Sequence, residues 1–176
     1  MNTNTYRKFK WFWAWQDEQE EAWLSEMATG GYHLDKPQLF GVYHFQVGDP
    51  GNVIYRLDYN VLGKKDRESY LQLFQDAGWE HVGDMSSWAY FRKQVQPGEA
   101  SEIFSDTDSK IQKYQRIMIF LIVLLPIMLF NITSFVPDRY GILGNALFAI
   151  FSIIMLLWAY ALIKLMQRIA RLKNSS

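Results

Sequence analysis

Two stretches near the end of the chain carry no charge at all. Ile117 to Val136 reads IMIFLIVLLPIMLFNITSFV, and Ile142 to Ile163 reads ILGNALFAIFSIIMLLWAYALI. A helix rises about 1.5 Å per residue, so twenty residues make roughly 30 Å, the thickness of a bilayer's hydrocarbon core. Only the five residues PDRYG separate the two runs. The pattern predicts a transmembrane helical hairpin over 117–163, with helices at 117–136 and 142–163. What precedes it is then a domain held at a membrane surface.

The net charge of the chain is zero, but its charge is unevenly divided. Up to Arg116 there are 13 Lys+Arg against 17 Asp+Glu, a net of −4; from Ile117 onward there are 5 against 1, a net of +4. An acidic soluble part argues against nucleic acid as a partner, because phosphate binding needs clustered positive charge. Basic residues at the hairpin ends suit anionic headgroups. With no cysteine, disulfides and thiolate metal sites are excluded. The opening MNTNTYRKFKWFWAW interrupts its aromatics with charge and is read as no signal peptide.

Before residue 96 the pattern predicts four strands and two helices. In Tyr6 to Gln16, Phe9, Trp11, Trp13 and Trp15 alternate with Lys8, Lys10, Phe12 and Ala14, which predicts a core strand. Asp17 is the expected cap of a helix whose first turn is acidic and which Gly30-Gly31 ends. Leu39 to Val47 and Val53 to Leu62 alternate around the turn GDPGN and predict a hairpin. Tyr70, Leu71, Phe74 and Ala77 have helical spacing up to Gly78, and Trp88 to Lys93 reads as the last strand. The order βαββαβ predicts an α+β, ferredoxin-like domain over 1–96. Its single antiparallel sheet would have both helices on one face, with Trp11, Trp13, Leu57 and Phe74 buried together. Residues 97–116 read as a linker and juxtamembrane helix, capped by Ser105 or Asp106, and 164–176 as a basic tail.

The open face of that sheet is the expected recognition surface. If the tryptophans face the helices, Lys10 and Phe12 face outward, and so do Arg56, Asp58 and Asn60, with His44 beside them. The same residues would equally make a plain solvated face, with cross-strand ion pairs worth a few tenths of a kcal/mol. No two of His33, His44 and His81 stand at metal-ligand spacing, and no phosphate loop or nucleophile motif occurs. No catalytic residue, cofactor or metal is therefore expected. Within the membrane runs, Pro126 is expected to kink the first helix. Asn131 and Asn145 are expected at similar depth, where they could hydrogen-bond. Gly141, Asn145, Ala149 and Ser152 form a stripe of small residues expected to line the helix contact.

KFKWFWAWQDEQEEAWLSEMATGGYHL, VIYRLDYN, YLQLFQDAGWEHVGDMSSWAYFRK and IFSDTDSK together resemble the bacterial domain-of-unknown-function 2812 family. The resemblance covers most of residues 6–110. It implies a membrane-anchored protein of Gram-positive bacteria, encoded near PadR-like transcriptional regulators, and so a regulatory or stress-response setting without catalytic residues.

The expected function is a non-enzymatic, membrane-anchored regulatory or sensing module acting through a protein partner. An accessory subunit of a transporter or export complex is the alternative, and small-ligand binding on the open face a weaker one. Expected partners are the lipid bilayer, an unidentified protein and a second copy of the chain. Lys110, Lys113 and Arg116 precede the first run, and Lys164, Arg168, Arg171 and Lys173 follow the second, against Arg139 alone between them. Lys and Arg accumulate on the cytoplasmic side, so a multi-pass protein of the cell membrane with both termini in the cytoplasm is predicted.

Overall fold

The computed structural model of the chain describes residues 5–61, 64–95, 107–134 and 141–174. The chain divides into two compact units, Met1–Asp106 and Thr107–Ser176. The expected caps Ser105 and Asp106, the linker that contains them and the loop around Asp138 and Arg139 lie outside the described residues.

The first unit is α+β and runs β1 (Thr5–Phe9), α1 (Asp17–Thr29), β2 (Tyr32–Gln38), β3 (Val42–Val47), β4 (Val53–Tyr59), α2 (Lys64–Asp76), β5 (Glu80–Met85) and β6 (Trp88–Gln94). The acidic first turn of α1, with Asp17, Glu18 and Glu20, is favoured by the helix dipole. Asp17 is its first helical residue rather than its cap; Gln16 holds the cap position without a side-chain cap bond. Both helices end on a glycine in the left-handed region, Gly31 at φ 83° and Gly78 at φ 81°, where a side chain would be strained.

Among the described residues, six strands form two antiparallel sheets of three, ordered β1-β3-β2 and β4-β6-β5. This replaces the single four-stranded ferredoxin-like sheet expected from the sequence. The first unit is a structural duplication, β1-α1-β2-β3 followed by β4-α2-β5-β6, with the same strand order in each half. The register breaks at the same place in both, between Leu34 and Lys36 and between His81 and Gly83, a few residues after the helix-ending glycine.

Helix α1 is shared by the two sheets. Trp23, Leu24 and Ala28 join Leu34, Tyr43 and Phe45 of the first sheet and Val53, Tyr55, Leu57 and Tyr90 of the second in one core. Helix α2 covers the other face of the second sheet through Phe74, with Trp79, Ala89 and Phe91. Leu57 and Phe74 therefore lie in different cores, on opposite faces of the second sheet. Trp11 and Trp13 lie in neither, being 49% and 41% exposed. Strand β1 stops at Phe9, and Lys10 N–H makes a last bond to Gly41 C=O at 2.9 Å before the chain leaves the sheet.

The second unit holds α3 (Thr107–Ser134) and α4 (Gly141–Asn174). Both are long and apolar enough to cross a membrane. They pack antiparallel, for Arg168 near the end of α4 donates to the Tyr114 hydroxyl near the start of α3 at 3.4 Å. Helix α3 continues through Pro126. Asn131 donates to its own helix, to Ile127 C=O at 2.8 Å. Of the expected small-residue stripe, Gly141, Asn145 and Ala149 are exposed and Ser152 is half-buried, its hydroxyl donating to Phe148 C=O at 2.8 Å; the buried glycine of α4 is Gly144.

Candidate functional site

The first turn of α1 places three carboxylates, Asp17, Glu20 and Glu21, inside the protein. They are buried because sheets flank α1 on two sides, which leaves little of its circumference for water. Glu20 Oε1 accepts the hydroxyls of Tyr43 at 2.7 Å and Tyr90 at 2.6 Å, one tyrosine from each sheet. Burial pushes the Glu20 carboxyl above its ordinary range, the two phenol bonds oppose that rise, and the nearby charge of Asp17 adds to it. Burial and the Glu20 charge push both tyrosine hydroxyls far upward, so they stay neutral donors.

The next residue, Glu21, accepts the backbone N–H of Leu57 at its Oε1 at 2.8 Å, and one turn on Ser25 Oγ accepts that of Tyr55 at 3.1 Å. Among the described residues strand β4 pairs only with β6, so these are the donors of its outer edge, and α1 satisfies them with side chains. Arg56 Nε lies 3.7 Å from Glu21 Oε2.

A cavity of about 80 Å³ opens over Asp17 and Glu20, walled by Phe12, Trp13, Met85 and Trp88. An anionic floor under aromatic walls suits a small cation, held by charge and by the ring faces. A wider, open cleft of about 410 Å³ is lined by His33, Gln46, Glu80, Arg92 and Lys93. There Arg92 grips Glu80 through Nε at 2.8 Å and Nη2 at 2.5 Å, and this holds the Glu80 carboxyl below its ordinary range. Among the described residues no three of His, Asp and Glu are grouped to hold a metal ion.

The six residues expected on one open face do not share one. Phe12 is half-buried, its ring 5.6 Å from that of Trp23. Lys10 Nζ sits over the Trp23 ring at 4.8 Å and the Phe12 ring at 5.1 Å. Asp58 is 1% exposed and accepts the Tyr70 hydroxyl from α2 at 2.9 Å, because α2 covers the face it was expected to leave open. Arg56 turns to Glu21, and Asn60 is half-buried with its N–H on Ser87 C=O. His44 alone lies on an uncovered sheet face, that of the first sheet, in register with Arg7 and Lys36.

Sequence reasoning missed the Glu20, Tyr43 and Tyr90 network, whose members are brought together only by the shared helix. The available signal was Trp23, Leu24, Met27 and Ala28, which together span more of the α1 circumference than one buried stripe requires.

No curated protein and no solved structure shows a significant match to the chain. A family profile described as "protein of unknown function (DUF2812)" matches residues 16–125, from the residue before α1 into α3. That span is more than half of the chain and takes in most of both halves of the duplication, and on it the chain belongs to the DUF2812 family.

Proposed function

We propose that this chain is a membrane-anchored, non-enzymatic regulatory or sensing module that acts through a protein partner. Helices α3 and α4 form its transmembrane hairpin, and both termini lie in the cytoplasm. The observation that carries the anchoring is the state of the two apolar helices: 11% of the apolar window of the first and 0% of the second is buried. Helices so apolar and so unburied need a non-aqueous surrounding. Basic residues gathered at the start of α3 and the end of α4 support the orientation. Green fluorescent protein fused at either terminus should fluoresce, and alkaline phosphatase fused after Ser176 should be inactive. An active phosphatase there overturns the orientation. Purification of the full chain from native membranes in mild detergent should bring one protein with it in fixed ratio; elution of the chain alone removes the partner.

The cavity over Asp17 and Glu20 favours a second reading, binding of a small cation. Methylammonium titrated into the full chain in detergent should then change tryptophan fluorescence saturably, and Glu20→Gln should abolish the response. A linear response, or one that Glu20→Gln leaves intact, removes this reading.

A further inference from the structure

We propose that the uncovered face of the first sheet, with the apolar tip beside it, docks onto the anionic lipid surface of the membrane. The proposal rests on the membrane-anchored reading above and adds a second, peripheral contact to it.

The register of the first sheet sets out the surface in rows. Arg7, His44 and Lys36 stand side by side across β1, β3 and β2, and Phe9, Val42 and Gln38 form the row two residues on. Residues i and i+2 share a face, so the basic row stands roughly 7 Å behind the Phe9 row. Beyond the second row comes the turn Leu39–Gly41, where Phe40 is held at φ 62° and is 76% exposed. A bulky residue in the left-handed region is an outlier for an L side chain, and here it keeps an aromatic ring in the open. Phe9 is 69% exposed beside it. Trp11 follows two residues on and is 49% exposed. The bond from Lys10 N–H to Gly41 C=O ties this segment to the turn, so the tip is one piece. A Cβ on Gly41 would stand 2.6 Å from Lys10 C=O, which explains the glycine at that close approach.

The duplication selects the occupant. The equivalent face of the second sheet carries Val53, Tyr55, Leu57 and Tyr90, and α1 packs on it. Aligned on the register break, His44 corresponds to Tyr90, so in the first sheet Arg7 takes the place of Leu57 and Phe9 that of Tyr59. Among the described residues no carboxylate pairs with Arg7 or Lys36. A second apolar helix would bury these charges without a counter-charge. Lipid phosphates supply the counter-charge, while Trp and Phe rings settle at the boundary between headgroups and acyl chains.

The chain has no cysteine, so single cysteines can carry a nitroxide spin label. The full chain would be reconstituted, at low protein density, in vesicles of phosphatidylcholine alone or mixed with phosphatidylglycerol. Labels would be placed at Phe40→Cys on the tip, Leu73→Cys on α2 and Phe130→Cys on α3. Collision with oxygen reports contact with lipid, and collision with a water-soluble nickel chelate reports contact with water. In the anionic vesicles the label at 40 should favour oxygen and the label at 73 the chelate. Arg7→Gln and Lys36→Gln should each lower the lipid-docked population about fivefold, the effect of one basic residue at such a surface. A label at 40 that meets only the chelate, while the label at 130 meets oxygen, overturns the docking and leaves the anchor standing. A label at 130 that meets only the chelate overturns the anchor and the docking with it. Spin–spin coupling between labels at 40 would assign the face to a second copy, and docking unchanged by both Gln variants would remove the electrostatic account; either result refutes the proposal.

Discussion

Replacing Glu20 tests how the two sheets are held around α1. Its carboxylate accepts two hydroxyls, those of Tyr43 and Tyr90, residues that are 2% and 0% exposed. Glu20→Leu leaves both donors buried without an acceptor, at about 1–3 kcal/mol each. Removing a buried charge returns part of that, so a net loss of about 1–4 kcal/mol is expected. Adding Tyr43→Phe and Tyr90→Phe removes the orphaned hydroxyls and should restore most of the stability. Glu20→Gln keeps an acceptor and discards the charge. Because burial raises the folded-state pKa of Glu20 above its unfolded value of 4.5, the folded chain takes up a proton in the window between the two. The stabilisation from that proton is complete below 4.5 and is lost as pH rises through the raised pKa. Wild type should therefore gain on Glu20→Gln as the solution is acidified through that window, by about 1.4 kcal/mol for each tenfold by which folding tightens proton binding at Glu20. The measurement is urea unfolding of the full chain in detergent, followed by tryptophan fluorescence; six of the seven tryptophans lie in the first unit. A loss from Glu20→Leu that persists undiminished with both phenylalanines present would falsify the hydroxyl argument. A gap between wild type and Glu20→Gln that does not change with pH would refute the desolvation argument.

Two further pairs of substitutions are informative by contrast. Trp23→Ala removes a side chain only 6% exposed and should cost about 3–5 kcal/mol, whereas Trp13→Ala should cost less than about 1 kcal/mol; equal losses in unfolding midpoint would contradict the boundary of β1 at Phe9. Gly31→Ala and Gly78→Ala share the same unfavourable φ, which costs about 1–2 kcal/mol, but only at Gly31 would the new Cβ meet backbone, Gly48 C=O at 2.6 Å. Gly31→Ala should therefore lower the melting temperature distinctly more than Gly78→Ala does.

The parts of the fold legible in the sequence were those with local punctuation. Both long apolar runs emerged as helices, α1 and α2 ended at their glycines, and β4 and β6 followed their alternation. The aromatic alternation from Phe9 to Trp15 looks like a buried strand, but periodicity reports which residues share a side and not whether that side is covered. Strand β2 escaped notice because YHLDKPQ is polar and contains Pro37. Proline is tolerated there because β2 is the outer strand of its sheet's hydrogen-bonded ladder. The buried acids of α1 read as an ordinary dipole-favoured turn, since the second sheet that encloses them is formed by residues more than thirty positions away. Neither the cavity over Glu20 nor the basic row on the first sheet could be seen before the strand order was known.

The sealing of β4's edge also bears on how the chain is made. An unpaired strand edge invites pairing with other chains, and here Glu21 and Ser25 of the first half occupy the donors of Leu57 and Tyr55 in the second. Synthesis delivers α1 to solution before β4 emerges. The helix that guards the edge is thus already available when that edge first appears, and a nascent chain needs no partner strand from a neighbour to keep it from aggregating.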